Sequence, residues 1–150
     1  MFPVIVAVLL LLGIPFGASA QLAAAGQWVT ADGQARVATF ECGGALCGRI
    51  VWLKEPVDES GRVRRDVSNP YADLRNRPLL GLQVLTRLQP DGPERWSGGT
   101  VYVPEAGREY RASISMEGPN ILVVRRFVWL PWLGWLPWLS STERWIRVSA

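Results

Sequence analysis

Turn chemistry recurs along this chain too often for long helices. Ala31-Asp32-Gly33, Gly43-Gly44, Gln89-Pro90-Asp91-Gly92-Pro93, Pro104-Glu105-Ala106-Gly107 and Glu117-Gly118-Pro119-Asn120 cut most of it into short pieces. Each cluster combines residues that preset φ, tolerate positive φ or bond their own backbone, as tight turns require. Pieces this short hold too few helical turns to be stable as helices. Their apolar residues instead fall at the strand period. Tyr110, Ala112, Ile114 and Met116 alternate with Arg111, Ser113 and Ser115. Leu80, Leu82, Val84 and Leu88 share one face, with Gln83 and Arg87 on the other. Gly48–Leu53 is apolar on both faces, as a strand covered on both sides would be. Further strands are predicted at Gly26–Thr30, Arg36–Cys42, Trp96–Val103, Ile121–Phe127 and Glu143–Ser149.

About eight short, evenly spaced strands predict an all-β domain, a single antiparallel meander closed into a small barrel. Closure removes the exposed edges of an open sheet. An interior of that size is filled by side chains or holds one small ligand. The exception to the short spacing is Lys54–Arg77, a long polar stretch with little apolar period. Loops of that length in compact domains are usually functional or mobile.

The first residues, MFPVIVAVLLLLGIPFGASA, are apolar and end in Ala18-Ser19-Ala20. That is the small-x-small pattern of a signal-peptidase site, so residues 1–20 read as a signal peptide and 21–150 as the exported domain. No Lys or Arg precedes the apolar run, and its length leaves an uncleaved anchor as the alternative reading. The expected location is the periplasm or the exterior.

In such a compartment Cys42 and Cys47, on either side of Gly43-Gly44, are expected to form a disulfide across a hairpin turn. Two thiols are too few for a metal site, and their spacing is not the C-x-x-C of a redox pair. No cofactor is expected. The chain contains no His, which excludes Ser-His-Asp and Cys-His catalysis and imidazole-bound zinc. No phosphate-cradling Gly-rich motif occurs. The net charge is +3, and Arg62, Arg64 and Arg65 make the only tight basic cluster, so no nucleic-acid partner is expected.

What remains for chemistry is carboxylates, Arg and Tyr. Asp58, Glu59 and Asp66 in the long stretch offer acids for a two-carboxylate hydrolase, but their neighbours (Ser60-Gly61; Ser68-Asn69-Pro70) have turn composition. Trp52, Trp96, Tyr102 and Trp145 either wall a cavity or fill the core. An open apolar cavity lined by Trp52 or Trp145 would argue for carrying a ligand, and a solid interior for an interaction module. Asp58, Asp66 and Arg77 gathered in one cleft would favour an enzyme.

Near the C-terminus WLPWLG is followed at once by WLPWLS, a tandem duplication that concentrates Trp129, Trp132, Trp135 and Trp138. Phe127–Leu139 is too short for a spanning helix and is interrupted by Pro131 and Pro137. It is predicted as an extended, kinked loop. It either covers one end of the barrel as a lid or touches a membrane surface or partner protein, since Trp favours the lipid–water boundary.

Many landmarks fall in a fixed order: LCGRIVWL (Leu46–Leu53), Pro56-x-Asp58, Gly61, Asp66, Asn69-Pro70, Arg77-Pro78-Leu79, Gly81, Trp96-Ser97-Gly98-Gly99-x-Val101-Tyr102-x-Pro104, Gly107-x-x-Tyr110 and Trp145-x-Arg147. This order resembles the bacterial family called domain of unknown function 2147, from Gly26 to Val148. The resemblance implies a mostly exported protein with a lipocalin-like fold, and it brings no established reaction. In that family the last hairpin leaves from an Arg-Gly pair, whereas Arg126-Phe127 stands here. At the matching positions Arg77 and Arg147 either brace a carboxylate or backbone carbonyls, or one of them meets an anionic ligand. Asp58, Asp66 and Asn69 join the candidate ligand-binding set on the same grounds. The function expected is a non-enzymatic barrel that binds a small apolar or amphipathic ligand, or an envelope accessory protein.

Overall fold

The structure is a computed structural model that describes residues 23–129 and 138–149, without the side chains of Trp129 and Trp138. The proposed leader therefore lies outside the described residues. Eight strands follow one another: β1 (Gly26–Val29), β2 (Ala35–Cys42), β3 (Ala45–Leu53), β4 (Gln83–Pro90), β5 (Arg95–Val103), β6 (Arg108–Met116), β7 (Ile121–Trp129) and β8 (Trp138–Arg147). Each pairs antiparallel with the next, and β8 returns to β1 through Trp28↔Arg147 and Val29↔Ile146, closing the barrel. Every predicted strand is present, with shifted ends. The largest shift is in the last hairpin. There the strands continue through Val128↔Leu139 and Trp129↔Trp138, so only 130–137 is left of the expected loop.

Antiparallel succession sorts the connections between two ends. Gly43-Gly44, residues 91–94 and residues 117–120 lie at one end. The turn before Ala35, the long stretch between β3 and β4, Pro104–Gly107 and the paired strand ends Trp129↔Trp138 lie at the other. The first end is packed solid with Trp28, Leu46, Leu88, Trp96, Ile114 and Leu122, all fully buried. It is further sealed by Arg147. Its guanidinium stacks 4.2 Å from the Trp28 ring and donates to the carbonyls of Ala23, Ala25 and Pro119. Cys42 and Cys47 form the expected disulfide across the β2–β3 turn, with Cα atoms 5.9 Å apart. Closing so short a loop contributes about 2 kcal/mol on the chain-entropy account.

Alternation alone does not place every side chain, because the strands carry bulges. Between β5 and β6 the register slips between Trp96↔Ile114 and Gly99↔Ala112. Trp96 and Val101 both reach the interior although they stand five positions apart, an odd separation that an unbroken strand would put on opposite faces. The glycine is required by a close approach. A Cβ on Gly99 would lie 2.3 Å from the Thr86 carbonyl oxygen, beside Arg87, whose φ of 51° kinks β4. The β3–β4 register shifts on either side of Gly48↔Leu85, so Leu85 is buried together with Val84 and Leu88, and Leu80, which precedes the strand, is exposed.

The outer face carries exposed arginines, among them Arg49, Arg111, Arg125 and Arg144, and the buried interior is mostly apolar. This polarity is the reverse of a barrel that spans a membrane.

Candidate functional site

The open end is hollow. A cavity of about 420 Å³ reaches inward from the mouth, within the size range of small-molecule sites. Val37, Ile50, Val84, Val101 and Val124 form its apolar wall, Trp145 lies at the side, and Leu79 of the long β3–β4 stretch reaches it from above. Thr30, Asp32, Gln34 and Glu105 stand at the rim. These side chains converge because odd positions of β2 and even positions of β7 point inward in the observed register.

The same parity brings two charged residues inside. Arg126 follows Leu122 and Val124 on the inner face of β7, and Glu143 precedes Trp145 on that of β8. The guanidinium donates to the Glu143 carboxylate (Nη2–Oε1, 3.1 Å) and to the Ser141 hydroxyl (3.0 Å), and it sits 5.6 Å from the Tyr110 ring. The Trp145 indole N–H donates to the second Glu143 oxygen at 3.2 Å. Neither Arg126 nor Glu143 was singled out from the sequence as a site residue. The signal was available in their two-residue spacing from Val124 and Trp145.

A second cluster gathers four of the residues picked from sequence. Asp66, whose side chain is fully buried, accepts from the Tyr102 hydroxyl at 2.6 Å, from Arg77 Nε at 2.8 Å and from the Asn69 amide at 2.9 Å. Asn69 also donates to the Tyr102 oxygen at 3.0 Å and accepts from the Tyr71 backbone N–H. Backbone bonds (Asp66 N to Arg77 O, Leu79 N to Arg64 O) zip the two limbs of the long stretch together. Gly107 then receives it. With φ at 59°, Gly107 lies where a Cβ would be 1.9 Å from the Ser68 carbonyl oxygen, so only glycine allows this contact. The stretch is thus fastened over the rim by a polar network whose carboxylate oxygens are both occupied. That arrangement holds a loop in place, and it leaves little of the Asp66 carboxylate for a ligand.

Burial pushes the Tyr102 phenol above its ordinary 10.0, the bond to Asp66 adds to that, and Asn69 pulls the other way. The unfolded chain then ionises first. Stability is complete below the ordinary value and falls as pH rises through the raised folded value, because the native state holds the proton longer. Chemical denaturation from about pH 9 to pH 11 should therefore show a shallower alkaline decline for Tyr102→Phe than for the wild type. Equal slopes would mean that the phenol is not held this way.

The other candidates are dispersed. Asp58 sits in its own turn, with Oδ1 accepting the N–H groups of Ser60 (2.8 Å) and Arg62 (3.0 Å). Those bonds, the Arg62 N–H foremost, hold its carboxyl below the usual 3.8. It makes no bond to Asp66 or Arg77. Trp52 faces outward, 38% exposed, beneath the Arg36 guanidinium. A bulge between Arg36↔Trp52 and Val37↔Ile50 turns it away and lets Ile50 and Leu53 reach the cavity in its place. Trp96 lies in the packed end, away from the cavity, and Arg147 braces backbone carbonyls there. Trp132 and Trp135, and the side chains of Trp129 and Trp138, lie outside the described residues. Among the described residues no cluster of His, Cys, Asp or Glu could hold a metal ion, and no helix is long and apolar enough to cross a membrane.

Residues 26–147 match the profile of a bacterial family described as "Uncharacterized protein conserved in bacteria (DUF2147)". No curated protein matches the chain. Among solved structures it is similar to protein HP1028 from the human pathogen Helicobacter pylori, which is described as belonging to the lipocalin family. The TM-score is 0.68 and the identity 22%, with 83% of this chain and 82% of that one covered. At that identity the likeness speaks for the fold, a lipocalin-like barrel, and leaves function to the site.

Proposed function

This chain belongs to the bacterial family DUF2147, and from its barrel and cavity we propose that it is an exported, non-enzymatic barrel carrying one small apolar or amphipathic molecule. The observation that supports this most is the uneven interior. One end is filled with large side chains, and the other keeps about 420 Å³ open behind an apolar wall. Burying apolar surface there would stabilise a bound chain or ring by about 25 cal/mol per Å² before the costs of association. The Cys42–Cys47 disulfide is consistent with export, since such bonds persist in oxidising compartments. A non-enzymatic role is favoured by the chemistry of the acids. Asp58 and Asp66 are spent on a turn and on a loop clamp, and a two-carboxylate hydrolase needs a facing pair left available for substrate.

Native mass spectrometry of the protein purified from its own envelope, with uptake of a small apolar fluorophore by the purified protein, tests the reading. A bound mass that is lost on denaturation, and that competes with the dye, is the expected result. A bare protein that also takes up no dye would remove the ligand-carrying role.

A further inference from the structure

Charge is usually kept off the inner wall of a small apolar cup, because desolvating it is costly unless it is paired. The outer face of this barrel already carries exposed arginines. Yet β7 turns Arg126 inward, the one cation lining the cavity among the described residues. Space is made for it from across the strand pair, where its register partner on β6 is the buried, small Ala112. The Tyr110 ring lies against the guanidinium, and Ser141 and Glu143 fix its direction.

The hydrogen-bond count of this group is lopsided. Each Glu143 carboxylate oxygen already has a donor, Arg126 on one side and the Trp145 indole on the other. Arg126 has five N–H donors, and among the described residues its side chain bonds only to Ser141 and Glu143. The other two acids, Asp32 and Glu105, stand out at the rim, where Asp32 Oδ1 accepts from the Thr30 hydroxyl at 2.7 Å and the Gln34 N–H at 3.0 Å and Glu105 is exposed to solvent. What the inner wall has left to offer is therefore donor capacity on a fixed cation. An oxygen acceptor placed there forms a charge-assisted bond, among the stronger kinds available. An ammonium placed there meets a like charge and a carboxylate already engaged.

We propose that Arg126 anchors the head of the ligand, and that the ligand is an apolar chain ending in an oxygen acceptor, a carboxylate or an ester, rather than in an amine. This rests on the ligand-carrying reading above and adds to it the chemistry of the head. The tail lies over Val37, Ile50, Val101 and Val124, and Arg126 determines which end faces the mouth.

Calorimetric titration with three probes of one tail length, decanoate, methyl decanoate and decylammonium, tests this below their micelle concentrations. One or both of the acceptor-headed probes should bind the wild type at least about ten-fold tighter than the amine, the scale of one charge-assisted bond. Arg126→Met should erase that preference. Because Arg126→Met leaves Glu143 without its partner, the double variant Arg126→Met, Glu143→Gln is measured beside it. It removes both members of the ion pair together, and it should show the same loss with an unchanged circular dichroism spectrum. Equal binding of all three probes, tighter binding of the amine, or unchanged acceptor binding in the double variant overturns the assignment of Arg126. Uptake of the apolar fluorophore with none of the three probes bound also overturns it, and leaves ligand carriage standing. Failure of the fluorophore and the probes together overturns both.

Discussion

Replacing Trp28 with alanine is expected to remove about 3–5 kcal/mol of stability, the range for emptying a fully buried tryptophan site. Trp28 is completely buried, and its indole N–H donates to the Ala24 carbonyl at 3.1 Å and the Thr39 hydroxyl at 3.0 Å. Its ring is also the surface on which Arg147 lies. The change would open a void, remove a donor from the Thr39 oxygen, whose own hydroxyl still donates to the Ala24 carbonyl, and loosen the guanidinium that ties β8 to the residues before β1. Since β1 is the shortest strand and bonds β8 over only two register pairs, closure of the barrel depends heavily on this one side chain. Against a total of about 5–15 kcal/mol for a domain of ordinary stability, that is at least about a fifth of the margin. Trp28→Phe, which keeps a ring under Arg147 and loses the N–H and only part of the buried volume, should cost less. A denaturant titration in which Trp28→Ala loses under about 1 kcal/mol would show that the packed end does not hold the barrel shut.

The second large effect is expected at Asp66. Alanine there deletes an acceptor shared by Tyr102, Arg77 and Asn69 and leaves those three donors seeking partners. Breaking a buried ion pair by removing one partner commonly costs about 3–5 kcal/mol. The Arg77 side chain is 35% exposed and can find water, so about 2–3 kcal/mol is the better expectation here. The loss should also be localised. Amides of residues 54–82 are expected to exchange with deuterium much faster in Asp66→Ala, while those of β5–β7 stay protected, because the network fastens the long stretch to the barrel. A uniform rise in exchange across all strands would contradict the clamp and make Asp66 part of the core instead. The prediction bears on ligand entry too, since Leu79 of this stretch lines the cavity.

Legibility from sequence differed by level. The eight strands, the antiparallel order, the disulfide and the family were readable because each depends on short-range signals: turn residues, period-two alternation, cysteines flanking Gly43-Gly44, and landmarks at fixed spacing. The last hairpin is longer than the strands Ile121–Phe127 and Glu143–Ser149 expected from sequence, since β7 and β8 remain paired as far as Trp129↔Trp138. The site was less legible. The sequence left Trp52 between cavity wall and core, and a single bulge sends it to the surface under Arg36 instead. Arg126 looked like one of many scattered arginines, and only the register showed it facing inward beside Glu143.

By itself, the sequence determined an all-β chain of about eight short antiparallel strands, since its turn clusters permit only short strands and short strands need mutual pairing to survive; the closure it led one to expect is made by the pairing of β8 with β1. Only the tertiary structure decided which side chains face the cavity and which polar groups meet. A bulge of one residue reverses the facing of everything beyond it. The contacts that fasten Asp66 to Tyr102 and Arg147 to Ala25 join residues 36 and 122 positions apart, distances over which no local pattern carries information.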